Sequence, residues 1–254
     1  MIFKKQRILP ALCLAPLLGL TPSLASADVV GFEVGAGVWN QSPEGNLTYQ
    51  GTLLDVVDDL GIGSESGAFF YAVLEHPIPV IPNIKVQQNS MEFSGTSTLT
   101  KDIVFGGTTY SISDDISSDI DLSHYDITLY YELLDNWVNL DLGINVKVFD
   151  GEATIRSATQ GTTTTDLSFP IPLLYARGQF DLPFTGWQIE AIGQYVSYDG
   201  SHLSDFSGSI NYNFAFGLGV KAGYRVIDLK IDDVDDITSD ISIDGAFGTV
   251  FFDF

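Results

Sequence analysis

The chain has 254 residues, and its 33 Asp and Glu outnumber its 11 Lys and Arg to give a formal net charge of −22 at pH 7. This acidity argues against nucleic acid or anionic lipid as the main partner, because both would repel the chain. Hydrophobic residues make up 45% and aromatic residues 12% of the sequence. Such a composition is too apolar for an acidic disordered chain and predicts an ordered protein.

The first 27 residues have the pattern of a cleaved secretory signal peptide. Basic residues among the first seven precede an apolar segment at 8–24, and Ala25-Ser26-Ala27 supplies the small residues that a signal peptidase accepts. A transmembrane anchor is disfavoured, since Pro10 and Pro16 interrupt a segment that is already short for a spanning helix. The sequence therefore predicts export and cleavage after Ala27.

Cleavage would leave a single domain at 28–254, which is enough for one barrel of modest size and for no further large domain. The mature chain would lose Cys13, its one cysteine, so disulfides and thiolate metal sites are excluded. Three basic residues and no acidic residue would be removed, so the formal charge of the mature chain would be −25.

The region after the signal contains long segments in which apolar and polar residues alternate with a period of two. From Val138 to Val148, apolar residues occupy every second position, over a length that crosses a bilayer as a tilted strand of about 9 to 11 residues. Alternation of this kind indicates one lipid-facing and one lumen-facing side. It predicts about ten strands, at 29–40, 67–76, 83–98, 114–132, 137–150, 167–182, 186–199, 203–213, 217–231 and 239–254.

These strands predict an all-β fold, an antiparallel transmembrane up-and-down β-barrel. A closed barrel satisfies every backbone polar group within lipid when long apolar helices are lacking. Ten is an even number, as in single-chain bacterial barrels, and eight or twelve strands would also fit the pattern. Short connections at 77–82, 133–136, 183–185 and 214–216 alternate with longer or more polar ones. If both termini face the periplasm, the short connections do too.

The segment from Thr52 to Leu60 departs from this period. Its apolar residues Leu53, Val56, Val57 and Leu60 have helical spacing, which indicates a short amphipathic helix in the first outer loop. Such a helix could cap the mouth of the barrel or rest on its rim. A structural role is favoured over gating or ligand capture.

Charged residues of both signs fall on the face that the alternation assigns to the lumen. An unpaired charge away from water is costly, so mutual pairing that plugs a narrow barrel is favoured. The alternative is a narrow conducting path whose ion preference these groups set. The predicted lumen charge network comprises Asp126, Glu132, Asp141, Lys147, Arg177, Asp181, Glu190, Lys221 and Arg225.

Two acidic clusters fall in proposed outer regions, and solvated loops are the favoured interpretation of both. Carboxylate oxygens suit Ca²⁺ or Mg²⁺, although neither cluster has EF-hand spacing. Divalent ions at these loops could bridge to lipopolysaccharide phosphates. The first cluster is Asp114, Asp115, Asp119 and Asp121, and the second, a weak candidate metal site, is Asp232, Asp233, Asp235 and Asp236.

The histidines allow a hydrolase hypothesis. His202 and Ser204, with Asp205, could form a lipid hydrolase, and His124 near Asp121 and Asp126 is similar to the arrangement of an acidic, His-dependent protease. No nucleophile signature surrounds either group, so exposed polar residues are the favoured interpretation. His76, at a proposed turn, is weaker still. No catalytic residue is therefore predicted.

The chain ends in Phe251-Phe252-Asp253-Phe254, and a terminal Phe on an alternating strand resembles the assembly signal of bacterial outer-membrane barrels, with Phe252 and Phe254 as its predicted residues. Together with the mature start at 28–37, the His76–Asn83 turn and the 223–230 segment, this end resembles an uncharacterised family of Gram-negative outer-membrane β-barrel proteins. The resemblance covers essentially the whole mature chain. It implies a membrane barrel and brings no substrate or catalytic residues with it.

These patterns favour a monomeric, integral outer-membrane β-barrel with a structural or surface-interaction role and no enzymatic activity. A narrow channel or transporter for small solutes is the alternative, and an outer-membrane hydrolase is third. The expected partners are outer-membrane lipid and lipopolysaccharide, with barrel-assembly machinery and periplasmic chaperones during biogenesis. No nucleic acid partner is expected, and no cofactor beyond Ca²⁺ or Mg²⁺ at the acidic loops.

Overall fold

A computed structural model describes residues 30–49, 52–234 and 237–254, and the predicted signal peptide lies outside the described residues. Strands make up most of the described chain. They are β1 (Gly31–Tyr49), β2 (Leu54–Asp55), β3 (Glu65–Glu75), β4 (Asn83–Asn89), β5 (Glu92–Thr98), β6 (Ile103–Phe105), β7 (Thr108–Tyr110), β8 (Asp115–Asp121), β9 (His124–Leu134), β10 (Val138–Phe149), β11 (Glu152–Ser157), β12 (Gly161–Asp166), β13 (Pro170–Asp181), β14 (Trp187–Tyr198), β15 (Ser201–Asn213), β16 (Leu218–Val234) and β17 (Ile237–Asp253), with a 3₁₀ turn at Ala215–Gly217.

Ten of these strands form a closed antiparallel barrel, in the order β1, β3, β4, β9, β10, β13, β14, β15, β16, β17 and back to β1. The closure pairs Glu33 with Asp253, and Phe32 and Phe254 exchange two backbone hydrogen bonds of 2.9 and 3.0 Å. Closure leaves no barrel strand with an unpaired edge, which is what lipid requires of a β-structure. The prediction of a ten-stranded up-and-down barrel is confirmed.

The two ends of the barrel differ. The end that carries Gly31, Phe254 and the short turns, here called the terminal end, has connections of a few residues, as the sequence predicted. At the opposite end, here called the loop end, the connections after β1, β4 and β10 are long and contain strands of their own, whereas Asp199 and Gly200 alone join β14 to β15. The predicted limits of the ten strands are accurate to within about three residues, except that β1 continues to Tyr49 and that bends divide the predicted strands 83–98 and 114–132. The short strands β6, β7, β11 and β12 were not predicted.

Alternation along each strand sorts the side chains between lumen and exterior. In β9, every second residue from His124 to Tyr130 is buried, and the intervening Tyr125, Ile127 and Leu129 are about half exposed. The lumen also accommodates large rings where small residues face them. The Tyr71 ring lies directly over Gly35 and the Phe251 ring over Gly219, where an added Cβ would clash with the ring. Side chains can therefore fill the interior of the barrel.

The exterior presents a belt of exposed apolar side chains between two sets of aromatic residues. Trp137 and Trp187 lie near the terminal end, and Tyr125 and Tyr195 lie toward the loop end. Eight residues of a tilted strand span about 20 Å along the barrel axis, which is close to the apolar band of a membrane barrel. None of the described residues forms a helix long and apolar enough to cross a membrane.

Four neighbouring barrel strands bend at the loop end and continue as a second sheet. β4, β9, β10 and β13 continue into β5, β8, β11 and β12, which pair in the same lateral order. The bends fall at Ser90–Met91, Leu122–Ser123, Asp150–Gly151 and 167–169. The wall of the barrel therefore extends beyond the membrane belt on one side only, as a sheet that we call the extension.

The inner face of the extension has its own apolar core, which we call the cap. Leu54 and Ile62 of the first outer loop and Ile103 and Tyr110 of the β6–β7 hairpin are at most 2% exposed. They belong to one cluster with Phe93, Ile116 and Ile155 of the extension. The Tyr110 hydroxyl donates to Thr163 Oγ1 at 2.8 Å. The hairpin and the first outer loop are thereby fixed to the extension.

The predicted helix at Thr52–Leu60 is wrong. Leu54 and Asp55 pair with β1, and residues 56–60 form a turn rather than a helix. One Asp55 carboxylate oxygen accepts hydrogen bonds from the backbone N–H groups of Val57 and Asp58. Gly61, with φ of +70°, follows directly. Leu54 and Asp55 pair with β1, and the left-handed Gly61 follows at residue 61, so the segment between them forms only a single turn. Val56 and Leu60 of this turn are buried in the cap.

Replacing Ile103 by Ala should loosen the cap and leave the barrel intact. Ile103 is fully buried in the cap, so truncation should cost the cap about 2 to 5 kcal/mol. The measurement is hydrogen exchange in the refolded protein, with faster exchange expected in the β6–β7 hairpin and at 54–62. Ile112→Ala is the matched control, since Ile112 is 58% exposed. Equal exchange in both variants, or faster exchange throughout the barrel, would contradict this account of the cap.

Candidate functional site

The inward charges of the sequence analysis form two groups in the lumen. Asp126, Lys147 and Arg225 meet in the half nearer the loop end, and Asp141, Arg177, Glu190 and Lys221 meet in the half nearer the terminal end. Asp181 lies at the terminal end, where it accepts a hydrogen bond from Gln179. Glu132 is exposed near the same end and belongs to neither group.

The first group, which we call the loop-side cluster, is organised around Lys147. Its ammonium lies 2.8 Å from Asp126 and 3.1 Å from Asp205, and the side chain is fully buried. Asp205 also accepts two hydrogen bonds from the Arg225 guanidinium, at 2.9 and 2.6 Å. Two carboxylates and two cations are thus paired without net charge, which is the condition for burying them.

The loop-side cluster crosses the lumen. Lys147 on β10 and Asp205 on β15 are three strands apart around the barrel, and Arg225 on β16 is four strands from Asn89 on β4. The Arg225 guanidinium nevertheless donates to the side-chain oxygen Oδ1 of Asn89 at 2.9 Å. The guanidinium also stacks over the ring of Trp39, 4.8 Å from its centroid. Side chains from opposite walls therefore meet on the barrel axis.

Amide groups complete the hydrogen bonds of the cluster. Asn145 donates to Asp126 at 2.7 Å and to Gln194 at 3.0 Å, and its own carbonyl accepts from Thr128. Asn89 donates to the second oxygen of Asp126 at 2.9 Å. Each Asp126 oxygen thus has an N–H donor in addition to the Lys147 contact, so the carboxylate is held in one orientation.

His124 joins the cluster as a neutral acceptor. Its Nδ1 lies 2.9 Å from the carbonyl oxygen of Leu122, and because a carbonyl only accepts, Nδ1 carries the proton. Nε2 is then free to accept from Lys147 Nζ at 3.1 Å. The ring is fully buried against Phe149, with ring centroids 5.0 Å apart. His124 is a structural member of the cluster and is not accessible from outside.

The second group, which we call the terminal-side cluster, is built on Glu190 and Arg177. Glu190 lies 2.7 Å from both Arg177 Nε and Lys221 Nζ. Arg177 also donates to Asp141 at 2.8 Å. Two cations and two carboxylates again balance, and three of the four residues come from the neighbouring strands β10, β13 and β14.

Two cavities lie in the lumen. One of about 60 Å³ lies between the clusters and is lined in part by Tyr71, Gln87 and Asp205. The other, of about 250 Å³, opens at the terminal end and is called the terminal cavity. Lys85, Glu190 and Lys221 line both. The loop-side cluster separates these cavities from the cap.

A third concave surface lies outside the barrel, at the bends. This bend groove has a volume of about 920 Å³ and lies mainly on the outward face of the four bent strands. Its carboxylates are Glu65, Glu92, Asp119, Asp121, Asp150, Glu152 and Asp166. Among the described ion pairs, the cation nearest to this face is Arg156, which pairs with Asp119. The groove is therefore strongly acidic.

Neither hydrolase group of the sequence analysis is complete: His124 Nε2 lies 3.5 Å from an Asp126 oxygen, but both side chains are buried in the loop-side cluster. Asp205 points into the lumen toward Lys147 and Arg225, whereas Ser204 donates to Asp228 at 3.3 Å and His202 lies near the Tyr195 ring. Near His124, Asp121 accepts from the backbone of Ser123 at the bend and does not contact the imidazole. His76 is held at the Pro82 turn.

The candidate metal residues are only partly described. Asp232 lies near the end of β16, and its backbone N–H donates to Ser201 Oγ. Asp235 and Asp236 lie outside the described residues, and so does the side chain of Asp233. Of the first acidic cluster, Asp114 accepts from Thr159 and Asp115 from Thr98. Within the described chain, no group of three or more His, Cys, Asp or Glu is arranged to hold a metal ion.

The predicted assembly residues lie on the exterior of the closing strand. Phe254 contacts Phe32 edge-to-face with centroids 4.9 Å apart, and Phe252 lies 5.2 Å from Phe254. Both rings are exposed at the terminal end.

Several members of the clusters were missed by the sequence analysis. Asp205 was assigned to a hydrolase group, and Trp39, Asn89, Asn145 and Lys85 were not singled out. Lys85 lies in a row with Asn83, Gln87 and Asn89, alternating with Ile84 and Val86. That alternation was a signal that could have placed Lys85 in the lumen.

The fold has known structural counterparts. The chain superposes on the outer membrane protease OmpT of Escherichia coli with a TM-score of 0.54, over 91% of this chain and 99% of that one, at 9% sequence identity. The transport unit of the autotransporter AIDA-I of Escherichia coli gives 0.40 (9% identity, 92% and 93% covered), and the attachment protein Ail of Yersinia pestis gives 0.37 (9% identity, 89% and 99% covered).

No protein-family model matches this sequence, and no curated protein matches it either. The likeness to OmpT shows a shared fold and carries no activity with it. With the closed barrel and its apolar belt, it identifies an integral outer-membrane β-barrel, and the resemblance stated from the sequence is confirmed at this level.

Lys147→Met should destabilise the barrel strongly. The change keeps much of the side-chain volume but leaves Asp126 and Asp205 without the cation they share, which should cost about 3 to 5 kcal/mol. The free energy of unfolding is measured by denaturant titration of the refolded protein. Lys230→Met is the control, because Lys230 is exposed near the loop end, and its effect should stay within about 0.5 kcal/mol. Similar small effects of both changes would show that Lys147 is not the centre of the cluster.

Proposed function

We propose that this outer-membrane barrel is a non-conducting, non-enzymatic anchor whose extension contacts the lipopolysaccharide around it and so contributes to the integrity of the membrane. The observation that carries the proposal is the position of the bend groove. Carboxylates follow directly on the apolar belt along all four bent strands.

The filled lumen supports a role outside the barrel. A ten-stranded barrel is little wider than one whose side chains fill the interior. Here the loop-side cluster joins β10 to β15 and β16 to β4, and each of these contacts is buried. An ion would have to break several buried ion pairs to pass, so general diffusion is disfavoured. Function is then expected at the surfaces that the barrel presents to its surroundings.

The bend groove lies where lipid headgroups are expected. Outward residues Tyr125 and Ile144 belong to the apolar belt, and Asp121 and Asp150 follow within a few residues on the same strands. The outward residues change from apolar to acidic on β4–β5 as well, where Glu92 comes six residues after Val86. The apolar belt is followed by a row of carboxylates, which supports a position for them at the membrane surface.

A carboxylate row beside anionic phosphates requires an intervening cation. Lipopolysaccharide phosphates and the groove carboxylates are both hard oxygen ligands, which Mg²⁺ and Ca²⁺ accept. The protein would supply some ligands of each ion and the lipid the rest. Among the described residues, the groove carboxylates do not form a complete metal site by themselves. This fits ions whose remaining ligands come from the lipid.

Removing three groove charges tests the proposal. In Glu92→Gln/Asp121→Asn/Glu152→Gln, the groove loses three of its seven carboxylates and should lose its Mg²⁺-dependent contact with lipid. The measurement is hydrogen exchange of the bends and the outward face of the extension, in vesicles containing lipopolysaccharide, with Mg²⁺ or with a chelator. Slower exchange with Mg²⁺ is expected in the unchanged protein and not in the variant.

Two controls make the result specific. Phosphatidylcholine vesicles should show no Mg²⁺ effect, because their headgroups carry no net negative charge. The triple variant Asp58→Asn/Asp102→Asn/Asp240→Asn removes as many charges away from the groove and should keep the effect. Exchange that does not respond to Mg²⁺ in lipopolysaccharide, or that responds equally in the groove variant, would refute the proposed contact.

A further inference from the structure

The terminal cavity has a charge pattern that neither the plugged lumen nor the proposed surface contact explains. It is about 250 Å³ in volume and opens at the terminal end, on the side away from the cap. Water occupies about 30 Å³ per molecule, so a cavity of this size can hold a solute as large as an amino acid. The residues of its rim and of its floor carry opposite signs.

The rim is acidic. It is formed where strands end or turn, and its carboxylates come from β1, β3, β9, β13, β17 and the turn after β9. The Glu75 carboxylate accepts the Tyr130 hydroxyl at 2.6 Å, and Asp181 accepts from Gln179. Neither contact neutralises a charge. The rim carboxylates are Glu33, Glu75, Glu132, Asp135, Asp181 and Asp253, and none of them forms an ion pair with Lys85 among the described residues.

The floor carries one positive charge in excess. Arg177 and Lys221 are balanced by Glu190 and Asp141 in the terminal-side cluster. Lys85 lies beside them and lines both the terminal cavity and the smaller inner one, so it lies at the junction of the two. The cluster itself is neutral, and the ammonium of Lys85 is an addition to it.

Lys85 differs from the other lumen cations in its partners. Its ammonium lies 4.9 Å from the centroid of the Tyr71 ring, a cation–π contact. Among the described residues it makes no ion pair and no side-chain hydrogen bond, whereas Lys147, Arg177, Lys221 and Arg225 each have at least one carboxylate partner. Three N–H donors that face a polar cavity are suited to an anionic group of a solute.

We propose that the terminal cavity binds a small amphoteric solute of the basic amino acid class, with its carboxylate on Lys85 and its cationic groups toward the acidic rim. A simple anion would be repelled by the rim, and a simple cation would leave Lys85 unpaired. A solute with one carboxylate and two cationic groups matches both ends. Because the loop-side cluster closes the lumen above, the cavity is a one-ended binding site.

The test uses two probes that differ only in the carboxylate. L-lysine has the carboxylate, and cadaverine is the same diamine without it. Binding of each to the refolded barrel in detergent at low salt is measured by calorimetry. L-lysine should bind about tenfold or more tightly than cadaverine, since a charge-assisted contact is made by only one of them.

Lys85→Met should abolish the difference between the probes. Affinity for L-lysine should fall about tenfold or more, to the level of cadaverine, and affinity for cadaverine should not fall. Lys230→Met is the matched control and should change neither. Asp181→Asn, at the rim, should weaken both probes by a similar factor.

Heat-modifiable mobility, which reports a closed barrel, is confirmed for each variant before binding is measured, and Lys85→Gln replaces Lys85→Met if the latter does not fold. Three results would overturn the proposal. They are no L-lysine binding up to about 10 mM, equal affinity of the unchanged barrel for both probes, and a preference for L-lysine that survives in the Lys85 variant.

Discussion

The pairing of buried charges in a narrow lumen is the interaction on which the rest of the structure depends. Closing ten strands leaves an interior that side chains can fill, and half of every strand must face it. Lys147 is fully buried there, and its ammonium can remain charged because it forms ion pairs with Asp126 and Asp205. The same contacts hold together strands that are not neighbours. Pairing is what allows these charges to be buried, and the loss of one partner would leave the other uncompensated.

The extension and the cap follow from the loop end of that barrel. Four strands continue past the membrane belt, and their inward positions change from Asp126 and His124 to Ile120 and Ile116. Polar pairing in the lumen is thereby replaced by an apolar core above it. This core can be covered only by segments from the same end, which are the first outer loop and the β6–β7 hairpin. The outward face is left to carboxylates, Ser and Thr, and it is the surface on which the proposed lipopolysaccharide contact depends.

The two ends of the molecule consequently have different chemistry. At the loop end, the ion pairs are balanced and lie beneath an apolar cap. At the terminal end, the terminal-side cluster is also balanced, but Lys85 and the acidic rim add charges of opposite sign around an open cavity. The proposed closure of the lumen at the loop end would make the terminal cavity a one-ended binding site rather than part of a path.

Much of the barrel could be predicted from the sequence because alternation decides both the strand and the side of each residue. It placed Lys147, Arg177 and Arg225 on the inward face without any knowledge of their neighbours. It could not tell which of them meet, because pairing across the lumen depends on how far each strand is shifted along its neighbour. Asp205 was therefore grouped with His202 and Ser204, its neighbours in sequence.

Alternation could not predict the bends or the conformation of the first outer loop. Alternation continues without interruption from Asn89 through Met91 to Phe93, so nothing in the pattern marks the division of β4 from β5. In the first outer loop, helical spacing was present, but pairing of Leu54 with β1 and the left-handed Gly61 decided the local structure. Tertiary contacts at both places overrode a correct local pattern.

Single-channel recording in a planar bilayer tests the central claim most directly. The refolded mature barrel, confirmed as closed by heat-modifiable mobility, is inserted and recorded at several voltages. The account predicts silence, because the loop-side cluster closes the lumen with buried ion pairs from opposite walls. Discrete and reproducible conductance steps from the unchanged protein, altered when Lys147 or Arg225 is replaced, would contradict it.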